Sequence, residues 1–518
     1  MRISPVKITT RKAGVAAMLC MTAAGVSVQA CTNLTESPVS TLSPDNYYNT
    51  SAEVIGGLAG VYAGLRNTLD EYYNTSQVSS DENIVPTRGS DWYDNGKWLE
   101  LHRQTWTPTS AAGSDNINSA WANLWSGVAK ANAVLNALKP NQVANQAAIE
   151  GELRALRAFY YICLMDEFGG VPIVTTTEIK QRERNTRAEV FKFVETELLA
   201  ARAALPAKWD AANWGRLTQG AVDAMLTSIY LNAEVYTGTV TATGLTKGTQ
   251  RWADVITTAD KIINSGNYSL ATNWQSNFVY NNQNSPENIF VVRFNTISDL
   301  GLNFVQRSLH YNSSNFGGWN GFSTLADTYN TFDAADQRRR IFLVGPQVNL
   351  TTGAPAKDRA GNPLIFTVDI KDVTQATESE GARIYKFPLD PTSTDRNQGN
   401  DFPYFRLGEV YLSKAEALNE TGQTAAAIAL INTIRARVFT PAKPLATTLT
   451  QAQARTAIYN ERLFELTGEG KRRQDMIRNG TYTSKFQYKE AQPGYKILFP
   501  IPQSQLATNP LLKQNVGY

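Results

Sequence analysis

Along most of the chain apolar residues return every three or four positions, and that spacing restricts the fold more than any other feature of the sequence. In "SAEVIGGLAGVYAGLRNTL", Val54, Leu58, Val61, Tyr62 and Leu65 share one helical stripe; in "WANLWSGVAKANAVLNAL", Trp121, Leu124, Trp125, Val128 and Leu135 do the same. Further helices are predicted at "AAIEGELRALRAFYYICLMDEF", "RAEVFKFVETELLAARAAL", "TQGAVDAMLTSIYLNAEVY" and "RWADVITTADKIINSG". A later pair, "YFRLGEVYLSKAEALNETG" and "QTAAAIALINTIRARV", is joined at Gly422, and "TAIYNERLFELTGEGKRRQDMIRNG" follows it. A helix with one apolar stripe must cover it with another element. Helix, turn and second helix, recurring with long insertions, form the unit of a tetratricopeptide-like solenoid in which each pair packs on the next. The expected fold class is mainly α, a tetratricopeptide-like helical-hairpin scaffold that carries an irregular α+β, loop-rich subdomain.

That subdomain is predicted at 270–403, where Asn, Thr, Ser, Gly, Phe and Asp dominate and only short pieces such as "NIFVVRF" and "LIFTVDI" favour strands. It separates an N-terminal helical region at 51–269 from a C-terminal one at 404–518. Loops held on a rigid scaffold are where binding function usually sits, so 270–403 is expected to supply ligand-binding insertions.

The first thirty residues stand apart. Arg2, Lys7, Arg11 and Lys12 precede the short apolar run "AGVAAMLCMTAAGVSVQA", an export signal too short to span a bilayer. Cleavage after Ala30 would leave Cys31 at the mature N-terminus, the arrangement of a bacterial lipoprotein, with 31–50 as a lipidated tether. Ordinary signal cleavage at the same bond would leave an unmodified cysteine; lipidation of Cys31 is expected. Of the three cysteines, Cys20 leaves with the signal and Cys31 carries lipid, so Cys163 in "FYYICLM" is expected to be a buried structural thiol.

The signal also distorts the charge. The whole chain has 49 basic and 46 acidic residues; removing 1–30 takes away four basic and no acidic ones, leaving 45 against 46 and a net charge of −1. A chain without a basic excess or stripe has little electrostatic basis for nucleic-acid binding. With two histidines, His102 and His310, a histidine-rich metal site is not expected. The Asp and Asn spacing in "LDPTSTDRNQGND" does not match an EF-hand loop, so no metal and no cofactor are assigned.

Two segments are rich in aromatics where the sequence is otherwise polar. "RGSDWYDNGKWLELHRQTW" offers Trp92, Tyr93 and Trp98 beside Arg88, Asp91, Asp94 and Asn95, and "QRSLHYNSSNFGGWNGF" offers Tyr311, Phe316, Trp319 and Phe322 beside Arg307, Asn312, Asn315 and Asn320. Pyranose rings present flat C–H faces that lie well on an indole or phenol, and their hydroxyls need donors and acceptors at the ring edge. The candidate ligand-binding residues are Asp81, Trp92, Tyr93, Asn95, Trp98, Phe316, Trp319 and Asn320. Trp106, Trp121 and Trp125 are expected to be core or helix-packing residues. No G-x-S-x-G, H-E-x-x-H, Walker-type or G-x-G-x-x-G element stands in a suitable context, and no carboxylate pair has the distinctive setting a glycosidase needs. Glu461, Glu465 and Glu469, near Arg462, Arg472 and Arg473, are expected to lace a helix face with ion pairs.

Six stretches in order, "CTNLTESP", "ELRALRAFYYICLMDEFGGVPIV", "GRLTQGAVDAML", "DFPYFRLGEVYLSKAEALNETG", "ERLFELTGEGKRRQDMIRNG" and "LFPIPQSQLATNPLLKQNVGY", resemble the SusD/RagB family of outer-membrane lipoproteins. The resemblance runs from Cys31 to Tyr518. It implies a non-enzymatic protein, lipid-anchored at the outer membrane and surface-exposed, that captures nutrients, mostly glycans, through loops in the two aromatic regions. It also implies a partner, a SusC-like TonB-dependent transporter that receives the glycan. Two other readings compete. A surface-anchored hydrolase would show two close, buried carboxylates beneath the aromatics, whereas a peptide- or protein-binding helical scaffold would have the aromatics of 88–106 and 307–322 buried or far apart.

Overall fold

The computed structural model describes residues 47–518. The export signal, Cys31 and all of the tether up to residue 46 lie outside the described residues. Ten α-helices of eight or more residues follow: α1 (Ser51–Asn67), α2 (Asn118–Ala137), α3 (Gln146–Phe168), α4 (Arg187–Ala204), α5 (Gln219–Leu231), α6 (Trp252–Ile263), α7 (Leu407–Glu420), α8 (Thr424–Ala436), α9 (Gln451–Leu466) and α10 (Arg472–Asn479). Three start at capping boxes, Thr50 with Glu53, Thr186 with Glu189 and Thr450 with Gln453, where each end satisfies two otherwise unpaired N–H groups.

The helices pack largely in chain order: α1 on α2, α2 on α3, and so on to α7, which takes both α8 and α9 as neighbours. This is the solenoid-like order that the apolar stripes imply, and Val54, Leu58, Val61 and Leu65 of α1 are buried in it. Helix α3 is enclosed over most of its length, with all but one of the residues from Gly151 to Phe168 buried, including Cys163. Burial pushes the Cys163 thiol well above its usual range, which leaves it an inert packing group. Arg154 and Arg157 of α3 both reach Glu197 of α4.

The insertion between α6 and α7 is stitched shut by a two-stranded antiparallel ladder, β1 (Asn288–Val292) against β2 (Phe402–Arg406). Every residue of both strands is buried, and β2 runs directly into α7. "LIFTVDI" contributes only Ile365–Phe366 to a strand, paired with Gly345–Pro346.

A buried charge network fastens the insertion to the scaffold, and it differs from the ion-paired helix face expected of Glu461, Glu465 and Glu469. These carboxylates point inward. Glu465 binds Arg338 at 2.8 Å, Arg406 at 2.6 Å and Arg437; Glu461 binds Arg338 and Arg435; Glu469 binds Arg406 and Lys386. Arg462, Arg472 and Arg473 turn instead to Asp475, Asp81 and Asp166. Taking charges out of water is costly, so the arrangement persists only because each is hydrogen-bonded to several partners.

Candidate ligand-binding surface

The first aromatic segment is a tight, strained loop. Arg88 and Asp91 exchange backbone hydrogen bonds of 2.9 and 3.1 Å, and Trp92, Asp94 and Asn95 take positive φ angles of 61°, 38° and 55°. A bulky residue in that region is held there by its surroundings, and such strain gathers at functional sites. The Trp92 indole N–H donates to the Trp319 carbonyl at 2.5 Å, and the Trp98 N–H donates to Asp94 at 2.7 Å. The rings of Trp92, Trp98 and Phe322 meet edge to face with centroids 5.5 to 5.8 Å apart. Gly321 makes this possible, since a Cβ there would lie 2.4 Å from the Trp92 indole. Two segments some 227 residues apart in sequence thus form one surface.

The predicted residues divide into two groups. Tyr93 is 57 % exposed, Asn95 is exposed, Trp92 and Trp319 are half-buried on this surface, and Phe316 is half-buried three residues before Trp319. Trp98 is 5 % exposed, packed against Trp92 and Phe322 with the Lys97 ammonium over its ring, so it supports the surface rather than offering a face. Asn320 is fully buried, which corrects it from a ligand contact to a structural residue; Asp81 is held by Arg472 through both oxygens, at 2.7 and 2.8 Å, with part of its side chain still exposed. Arg88, expected at the rim, is also buried.

Arg88 and Arg383 form the clamp beneath the surface. Arg88 donates to the carbonyls of Asn320 and Glu380 and to the Ser323 hydroxyl at 2.8 to 3.0 Å. Arg383 donates to the Asn320 side-chain oxygen, to Ser323 and to the carbonyls of Glu378 and Glu380. Neither guanidinium pairs with a carboxylate among the described residues. Burial lowers Arg88 to about 10, and burial with the Arg88 charge pushes Arg383 well below its usual range.

A polar rim lies beside the aromatics. Tyr311 donates its hydroxyl to Asp91; Arg359 reaches Asp91 at 3.0 Å, binds Glu378, and stacks 4.3 Å from the centre of the Tyr311 ring. His310 accepts from the Asn312 N–H through Nδ1 and donates from Nε2 to Glu378 at 2.9 Å, and burial keeps its pKa below the usual value, so the ring is neutral near pH 7. Burial alone would raise Glu378, yet hydrogen bonds from His310 and Arg359 bring it down to about 2. Sequence reasoning missed Arg359 and Glu378. They sit in an aperiodic stretch, and only tertiary folding sets them beside Tyr311.

A helical scaffold that presents a loop-borne aromatic surface with a charged rim defines a binding protein of the solenoid type. Residues 259–518 match the SusD family and residues 41–231 match a family described as starch-binding associating with outer membrane; the chain belongs to the SusD family. It is 25% identical to the SusD-like protein P25 of Formosa agariphila, over 94% of this chain and 96% of that protein. It is 24% identical to the starch-binding protein SusD of Bacteroides thetaiotaomicron, over 86% and 85%. Among solved structures, a laminarin-binding SusD-like protein superposes with a TM-score of 0.72 at 22% identity, covering 91% of this chain and all (100%) of that one. Surface glycan-binding protein A of Bacteroides thetaiotaomicron, in complex with laminarihexaose, superposes at 0.70 with 21% identity, covering 90% and 99%. These structural likenesses speak for the fold.

Proposed function

We propose that the protein captures a glycan at the cell surface and delivers it to a partner TonB-dependent outer-membrane transporter, without chemical turnover. The observation that carries this reading is the contact between Trp92 and Trp319, which joins the two aromatic segments into one partly exposed surface. Tyr93 and Trp319 supply faces for pyranose rings, with Phe316 and Trp92 beside them. Arg359, with its side chain 51% exposed, and Asp91, with 32%, supply a donor and an acceptor for hydroxyls. The relatives named for starch and laminarin binding support the ligand class. Attachment to the outer membrane is assigned to lipid on Cys31, and the SusC-like transporter rests on the family.

The hydrolase reading fares worse on chemistry. A glycosidase needs one carboxyl kept protonated near neutral pH. At this rim Asp91 and Glu378 share Arg359, and Glu378 is held down to about 2. The peptide-scaffold reading requires aromatics that are buried or apart, whereas Tyr93 is exposed, Trp319 is half-buried and Trp92 of the first segment touches Trp319 of the second. Affinity electrophoresis of the mature chain through gels containing laminarin, starch and other soluble polysaccharides tests the proposal. Retardation by at least one, with no reducing sugar released on long incubation, supports capture; retardation by none, or sugar release, opposes it.

A further inference from the structure

A cavity of about 320 Å³ opens along α1, in the size range of small-ligand sites. Ile55, Leu58, Tyr62 and Val291 form its apolar wall and Trp214 lies at its side, while Arg66 and Arg293 stand together at its edge. Gly215 shapes it: its φ of +87° is left-handed, and a Cβ there would lie 2.6 Å from the Arg293 side chain.

Neither arginine has an ion pair among the described residues, and unlike Arg88 and Arg383 neither is fully engaged by hydrogen bonds. Arg66 donates one hydrogen bond, from Nε to the Arg293 carbonyl at 2.8 Å, and lies 5.7 Å from the centre of the Phe294 ring, while Arg293 makes one long contact of 3.5 Å with the Trp214 carbonyl. The third arginine of the cavity, Arg216, is neutralised by Glu152. Asp401, the acid whose charge acts on Arg66, is buried and has its oxygens taken by the Trp214 indole N–H at 3.0 Å and the Phe294 N–H at 2.9 Å. Burial, and after it the Arg293 charge, lowers the Arg66 pKa, although Asp401 opposes this. Burial raises the Asp401 carboxyl, and even with it ionised Arg66 and Arg293 outnumber it by one, which leaves a positive charge unmatched.

The polar side chains of the cavity are already engaged. The Tyr62 hydroxyl donates to Glu152 and accepts from the Leu217 N–H, and the Asn213 side chain accepts from Arg216. Little remains to bind the hydroxyls of a sugar. We infer that this cavity is a second ligand site, for a small monocarboxylate with an apolar body, whose carboxylate bridges Arg66 and Arg293 and whose body lies against Trp214 and the aliphatic wall. Planar guanidinium forks suit a carboxylate, and a monoanion matches the single surplus charge.

The test uses the full mature chain with 3-phenylpropionate and its neutral amide as probes, followed by calorimetry and saturation-transfer NMR. The acid is expected to bind, the amide to bind at least tenfold more weakly, and Arg293→Gln or Arg66→Gln to weaken the acid at least tenfold. Arg293 is exposed, so its variant should melt like the parent and keeps the test valid even if Arg66→Gln is unstable. Absence of binding by the acid at millimolar concentration, equal binding of the amide, or parent-like binding by Arg293→Gln would each overturn the inference. Tyr93→Ala should leave acid binding unchanged, which separates this site from the glycan surface.

Discussion

Replacing Asn320 by alanine probes the clamp under the aromatic surface. Its side-chain oxygen accepts from Arg383 at 2.8 and 3.3 Å, its amide donates to the Glu378 carbonyl at 3.1 Å, and its φ is 53°. Alanine would leave the fully buried Arg383 guanidinium short of an acceptor, and a hydrogen bond to a charged group contributes about 1.5–3 kcal/mol. Alanine also tolerates the left-handed region poorly, at roughly 1 kcal/mol. The variant should therefore lose about 2.5–4 kcal/mol of stability, as the sum of those two effects. Asn320→Gly removes the same hydrogen bonds but relieves the backbone, and should recover about 1 kcal/mol of the loss. Urea unfolding of parent and both variants measures this. A loss of less than about 1 kcal/mol for Asn320→Ala, or a glycine variant no more stable than the alanine one, would refute the reasoning.

The remaining predictions concern the network, the rim and the aromatic contact. Glu465→Gln should destabilise by about 3–5 kcal/mol in urea unfolding, because it leaves Arg338, Arg406 and Arg437 partly uncompensated in the interior. Glu378 has its pKa depressed from 4.5 to about 2 in the folded chain, so its stabilising contribution is complete above 4.5 and is lost as the pH falls towards 2. The stability gap between parent and Glu378→Gln, followed by thermal melting across pH, should shrink over that window and stay level above it. Gly321→Ala should force the Trp92 indole away, at about 1–3 kcal/mol of overpacking, and weaken glycan binding in affinity gels.

The scaffold was open to sequence reasoning because helix periodicity is local: the stripe of Val54, Leu58, Val61 and Leu65, and threonine followed three residues later by Glu or Gln, name a helix and its start. Trp106 and Trp121 lie in the core and the half-buried Trp125 packs on Trp121 and Tyr161 between helices, as expected. Exposure within a loop is not local. Trp98 and Asn320 sit in sequences as polar as those of Tyr93 and Asn95, yet distant residues, Phe322 for one and Arg383 for the other, enclose them. Asp81 meets its Arg472 partner across 391 residues. Arg359 and Glu378 carry no motif at all, and the inward turn of Glu461, Glu465 and Glu469 depends on arginines that the helix spacing does not mention.

The central claim is that Tyr93 and Trp319 form one glycan platform. Calorimetric titration of the mature chain with laminarin and starch oligosaccharides, repeated with Tyr93→Ala and Trp319→Ala, tests it most directly. The account predicts that one oligosaccharide class binds, that each substitution weakens it at least tenfold, and that both variants melt close to the parent. Parent-like affinity in both variants, or no binding to any oligosaccharide, would contradict it.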